Sequence, residues 1–268
     1  MSAPSAFHAG AAPRVALFAT CLADRFFADA CADAVRVLRH LGVEVEVPVG
    51  QTCCGQPAHS TGNREEAVRM ARHTLATFAD ADHVVLPSGS CAGMLRRFYG
   101  ELLGTPAAAA LGARTWELAQ FLVHILGAAA GPLGTGLAGR RVAYHHGCHA
   151  LRELGVHDEP LALLRACGAD VVPWDGDTEC CGFGGLFSTR FPEVSVGMAD
   201  RKLDVLPDVD AVTSSDGGCL LQLAGRALRR GREQRTGGAR GAPRPGPPFV
   251  HLATLLREGL EGAGGPRP

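Results

Sequence analysis

Long apolar runs are what this 268-residue chain most plainly lacks. No stretch approaches the roughly 18 apolar residues of a membrane-spanning helix. Val15–Ala19 is too brief to form the centre of a leader, and Met1–Arg14 carries no basic start. No secretory signal is therefore expected, and the expected compartment is the cytoplasm. An excess of charge is missing too: 26 Lys+Arg stand against 27 Asp+Glu. That balance gives no electrostatic reason to expect nucleic acid or an anionic membrane as a partner. Lysine is nearly absent, Lys202 being the single one, which reads as genomic base composition beside the abundant Ala and Gly. A dinucleotide fingerprint is also wanting. Gly182, Gly184 and Gly185 do not make G-x-G-x-x-G at the start of a helix. They are expected instead to let backbone pass close to a bound group and donate N–H bonds to sulfur.

What is present in excess is cysteine, and it repeats. The vicinal pair Cys53-Cys54-Gly55 recurs as Cys180-Cys181-Gly182. Cys21 precedes Cys53 by 32 residues, as Cys148 precedes Cys180; Cys91 follows Cys54 by 37, and Cys219 follows Cys181 by 38. Eight of the ten cysteines thus form two sets of four with matching spacing, the signature of a duplicated domain. A secreted disulfide scaffold of this kind would be short and would carry a leader. Grouped thiols in a reducing compartment point to metal binding or redox work. Cys31 and Cys167 have no counterparts across the repeat and are expected to be small apolar fillers.

Short apolar strands alternate with helical periods in both halves. Val15–Ala19, Val43–Val47 and His83–Leu86 read as strands in the first; Val142–Tyr144, Asp170–Pro173 and Ala211–Thr213 read so in the second. Helices are expected over Ala30–His40, Arg64–Phe78, Cys91–Leu103 and Trp116–Leu126. Their counterparts are Pro160–Ala166, Glu193–Leu206, Cys219–Leu228 and His251–Glu258. The fold class expected is α/β: two tandem, pseudo-repeated Rossmann-like domains with short parallel sheets flanked by helices. Their extents are 14–130 and 140–260, with flexible tails at 1–13 and 261–268. An exposed Gly/Pro/Arg-rich insertion is expected at 231–248. The arginines in and just before it (Arg229, Arg230, Arg232, Arg235, Arg240, Arg244) are read as a solvated loop rather than a partner site. Each cysteine follows a strand, and open α/β sheets bind ligands beyond the carboxyl ends of their strands. Distant loops can then bring four thiols together in each domain.

Four thiolates suit zinc or an iron–sulfur cluster. Adjacent cysteines chelate one ion awkwardly and reach two neighbouring irons of a cluster more naturally, which favours iron–sulfur. A vicinal disulfide switch would leave the other cysteines unexplained and close a strained ring.

Longer strings sharpen the picture: Thr52-Cys-Cys-Gly-Gln-Pro-Ala58, Ser88-Gly-Ser-Cys-Ala-Gly-Met94, Tyr144-His-His-Gly-Cys-His149 and Cys180-Cys-Gly-Phe-Gly-Gly185. Together they resemble the cysteine-rich CCG domain family found in heterodisulfide reductases and in the iron–sulfur subunits of glycolate oxidases. The match is narrowest to its small two-domain members concerned with lactate utilization, and it covers about Val15 to Leu228. This resemblance implies an iron–sulfur cluster on Cys21, Cys53, Cys54 and Cys91, and another on Cys148, Cys180, Cys181 and Cys219. It implies one 4Fe–4S or noncubane cluster per domain, with zinc at one site as an alternative. The function it implies is that of an electron-transfer subunit of an oxidoreductase converting L-lactate, a small 2-hydroxy acid, to pyruvate. A ferredoxin-like iron–sulfur protein and a third subunit would be its companions. The rivals are a related reductase subunit for glycolate or a disulfide, and a non-catalytic zinc-stabilised scaffold. The full family pattern has a fifth thiol where this chain has Ser88 and Asp216. Each is either a weak extra oxygen ligand or a helix cap, and for Ser88 the cap is favoured. His145, His146 and His149 flank Cys148, whereas Cys21 has no such neighbours; any of the three could supply a cluster ligand or relay protons, and His146 and His149 are the candidate catalytic residues. Arg152 and Arg190 are weaker candidates for a substrate carboxylate.

Overall fold

A computed structural model describes residues 13–236 and 246–262. The first half builds a four-stranded sheet from β1 (Arg14–Leu17), β2 (Glu44–Glu46), β3 (His83–Leu86) and β4 (Thr115–Glu117), all parallel, in the order β2-β1-β3-β4. The second half repeats it with β5 (Arg141–Tyr144), β6 (Asp170–Val171), β7 (Ala211–Ser214) and β8 (Phe249–His251), in the order β6-β5-β7-β8. The doubly wound α/β class read from the sequence is the one found. In each sheet the chain moves one way from the first strand and then the other way. The crevice at that reversal is where such sheets bind ligands.

Two elements differ from expectation. Trp116–Leu126 and His251–Glu258 are not helical throughout, since each begins in a fourth strand. The helix follows directly, at Leu118 and at Leu252. Strands of three residues whose apolar positions run on into a helix give no separate period. In addition, the helix opening near Cys219 extends from Gly217 to Thr236, so residues 231–236 are helical rather than loop. Within it Arg226 pairs with Asp200, at 2.7 Å, and Arg230 with Asp204, at 2.5 Å. These ion pairs tie the helix to its neighbour over Pro192–Asp204. Residues 237–245 of the expected insertion lie outside the described residues, as do most of both expected tails.

The helices that matter for the site are α1 (Cys21–Phe26), α2 (Ala28–His40), α3 (Gly89–Gly93, continuing helically to Leu103), α4 (Leu118–Gln120), α5 (Asp158–Ala166), α6 (Gly217–Thr236) and α7 (Leu252–Glu261). The halves join through exchanged pairings: α2 packs on α7 and α5 on α4, while α1 packs on α6 and Ala150–Leu154 on α3. Such reciprocity is that of a two-fold interface, here formed within one chain. Apolar side chains from the strands and helices of both halves, among them Leu17, Val37, Leu122, Tyr144, Leu163 and Leu255, fuse into one buried cluster between the halves. The halves therefore share this cluster, and each also keeps a buried cluster of its own. No described helix is long and apolar enough to cross a membrane.

Candidate metal centre

The glycine of each vicinal motif comes first in the local chemistry. Gly55 and Gly182 stand at φ +85° and +84°, in the left-handed region that glycine enters without strain. The turn they make lets each sulfur of a vicinal pair reach a further sulfur of its own. Cys53 Sγ lies 3.6 Å from Cys21 Sγ, and Cys54 Sγ lies 3.2 Å from Cys91 Sγ. In the second half Cys148 likewise bonds to Cys180, and Cys181 to Cys219. The inner pairs, Cys54 with Cys91 and Cys181 with Cys219, are buried, and the outer pairs are partly exposed. All ten cysteines are free thiols. Backbone N–H groups also reach sulfur: Gly182 donates to Cys180 Sγ at 3.5 Å and Phe183 to Cys181 Sγ at 3.4 Å.

Donation from Cys21 and Cys54 pulls the Cys53 thiol down to about 3, so one thiolate is stabilised in that nest while Cys21 and Cys54 are pushed up as its donors. The same division lowers Cys180 and raises Cys148 and Cys181. Each nest thus holds one stabilised thiolate with thiols donating to it, and a metal would displace those protons on binding. Cys91 and Cys219 sit in the first turns of α3 and α6.

The two nests open onto one cleft of about 230 Å³. Seven of the eight cysteines line it, and the eighth, Cys53, sits behind Cys21. The spacing of the cysteines predicts one gathering point per domain; the shared cleft is a product of the domain interface. At its floor the halves meet through Ser88 and Asp216, which occupy equivalent positions in the repeat. Asp216 Oδ1 accepts from Ser88 Oγ (3.2 Å), Ser90 N–H (3.0 Å) and Ser90 Oγ (2.8 Å). Ser88 Oγ also accepts the Cys91 N–H as the cap of α3. Asp216 Oδ2 lies so near Gly147 that a Cβ there would come within 2.1 Å of it. The two oxygen-bearing residues weighed as extra ligands are occupied with each other. His251 Nε2 lies 3.1 Å from the Pro87 carbonyl and 3.2 Å from that of Ser215, bridging the halves at the same level.

The histidines separate on inspection. His149 lines the cleft, its Nδ1 2.7 Å from Glu153 Oε1. His146 does not line it: its ring is buried, stacked on His157 at 4.7 Å, and burial holds it down to about 4. His145, which the sequence singles out least, is fully buried, and burial presses it down to about 3. One of its ring nitrogens, Cys181 Sγ and Cys219 Sγ all lie within 4.8 Å of one another. Arg152 and Arg190 are not among the residues lining the cleft. Cys167 is a buried filler as expected, whereas Cys31 is half-buried with its thiol 3.5 Å from the Ala19 carbonyl.

The loops bearing the vicinal pairs are anchored differently. Tyr99 Oη donates to the Cys54 carbonyl at 2.8 Å. In the second half the ammonium of Lys202, buried over the Trp174 ring at 4.5 Å, donates to the carbonyls of Gly176 and, at 2.9 Å, Glu179. Composition gives Lys202 no role; only its burial shows it to be a loop anchor.

Comparison with known proteins agrees with this duplication. The CCG cysteine-rich domain model matches twice, over residues 15–96 and 142–224. Lactate utilization protein A of Geobacillus sp. (strain WCH70) is 42% identical over 226 residues, covering 82% of this chain and 94% of that protein. Its namesake from Exiguobacterium sp. (strain ATCC BAA-1283 / AT1b) is 38% identical over 260 residues, covering 94% of this chain and all of that one. A solved glutamate racemase from Thermus thermophilus, at 16% identity and a TM-score of 0.29 over 94% of this chain and 95% of that one, is too distant to bear on fold or chemistry.

Proposed function

The chain belongs to the lactate utilization protein A family of paired CCG domains, and from that premise we propose that it is the iron–sulfur electron-transfer subunit of a system oxidising L-lactate to pyruvate. The observation that carries this reading is the convergence of two four-thiol nests on one cleft. The donor set fits a cluster in each. Each adjacent cysteine reaches a further sulfur of its own, as neighbouring metal atoms would require, and N–H groups stand ready to bond sulfur. Cys21, Cys53, Cys54 and Cys91 would hold one cluster, and Cys148, Cys180, Cys181 and Cys219 the other. When bound, such groups supply one-electron carriers. Lactate oxidation releases two electrons and two protons, so a carrier on each side of the cleft matches the stoichiometry. His149, lining the cleft and hydrogen-bonded to Glu153, is the titratable side chain placed to take up a proton there. His146 is shielded behind His157 and serves packing. A ferredoxin-like protein and a third subunit would pass the electrons on from the cleft's open side.

Iron, acid-labile sulfide and zinc analysis of anaerobically prepared protein, with an EPR spectrum after reduction, tests the reading. Iron and sulfide in both halves are expected; zinc without iron would overturn it and leave a structural scaffold. Growth of a deletion strain should fail on lactate and persist on glycolate, and the reverse would reassign the substrate.

A further inference from the structure

The two nests match in sulfur but not in what lies behind it. At the position in the first half equivalent to His145 stands Phe18, fully buried and stacked on Phe78 with ring centroids 5.1 Å apart. That ring offers no donor. His145, by contrast, has one nitrogen committed and one free. Its Nδ1 lies 3.1 Å from the Asp177 carbonyl oxygen. A carbonyl can only accept, so Nδ1 carries the hydrogen and Nε2 carries the lone pair. Nε2 is completely buried and has no hydrogen-bond partner, a costly state for a polar atom unless something occupies it. The nitrogen left to complete the trio with the sulfurs of Cys181 and Cys219 is this one. Metal-ligating histidines characteristically donate their other ring N–H to a backbone carbonyl or carboxylate, which fixes tautomer and ring plane. The Asp177 carbonyl does this here, and it is itself held in place by the His146 backbone N–H at 3.0 Å.

We infer that His145 is a metal ligand of the second nest, binding through Nε2 beside Cys181 and Cys219, so that the halves hold chemically different centres: thiolate alone in the first, thiolate plus one imidazole in the second. This rests on the reading that the nests hold metal.

The test is pulsed EPR of full-length, anaerobically prepared and reduced protein carrying ring-15N histidine. X-ray absorption at the zinc edge should be recorded on the same sample, in case the second nest holds that ion. Expected is one directly bound histidine nitrogen per chain, lost in His145→Phe, which copies the first half, and in His145→Gln. If either variant fails to fold, the labelled wild-type protein decides by itself. Metal in both nests with sulfur donors only, or a nitrogen signal that survives both variants, overturns the inference while leaving the metal reading intact. A hydrogen-bonded thiol–imidazole pair only, in a chain that binds no metal, overturns both.

Discussion

Set side by side, the two halves show what duplication kept and what it released. Sulfur positions, the left-handed glycine and the sheet order are the same in each. The residues that surround the sulfur have parted: Phe18 against His145, Ser88 against Asp216, and Glu117 against His251 as the residue ending the fourth strand and capping the helix after it. Behind its thiols the first half sets Phe18 and Ser88, while the second has buried Lys202, His145 and Asp216. Thiol geometry tolerates little change because four sulfurs must meet at one point. The shell behind them is free to vary, and varying it is how two equal nests become unequal centres.

The comparison breaks most completely if one nest is removed. Cys180→Ser should remove about half of the bound iron and its share of the visible absorption, and abolish electron transfer from lactate. Cys53→Ser should remove the other half. Equal iron content in Cys180→Ser and wild type would refute the assignment of that cysteine.

The next effect lies in Glu117, whose counterpart His251 is buried as well. Burial pushes its carboxyl from the ordinary 4.5 to about 8 while it caps α4 by accepting from Ala119 and Gln120 N–H. The folded chain therefore keeps a proton that the unfolded chain releases. Stability should fall with rising pH between 4.5 and about 8, by about 1.4 kcal/mol per pH unit at most. Glu117→Gln is neutral throughout and keeps one acceptor, so its denaturation midpoint should be nearly level across that window and exceed wild type at its upper end. Parallel pH profiles for the two proteins would show that Glu117 titrates normally.

The smallest effect sharpens the interface. Asp216→Ala strips an acceptor from Ser88 and from both donors of Ser90 and should cost about 2 kcal/mol by chemical denaturation. Ser88→Ala leaves Asp216 the two Ser90 donors and should cost about 1 kcal/mol or less. Equal costs would mean that the carboxylate is not the hub.

Much of this was legible along the chain. The recurrence of Cys53-Cys54-Gly55 as Cys180-Cys181-Gly182 announced the duplication, and alternating short strands and helices announced parallel sheets, because spacing and period are local properties. The fourth strands escaped since Thr115–Glu117 and Phe249–His251 are three residues long and merge with the helices behind them. His145, His146 and His149 stood together as possible ligands or relays, and the sequence could not choose among them, since nothing local says which ring nitrogen a distant Asp177 carbonyl will claim. That both nests face one cleft was likewise decided by tertiary packing. Which helices exchange partners depends on matching apolar surfaces from both halves. The sequence by itself determined which eight sulfurs gather, and in what sets. The fold decided what they face and which side chain stands behind them, because burial and contact are settled only when remote segments compete for the same space.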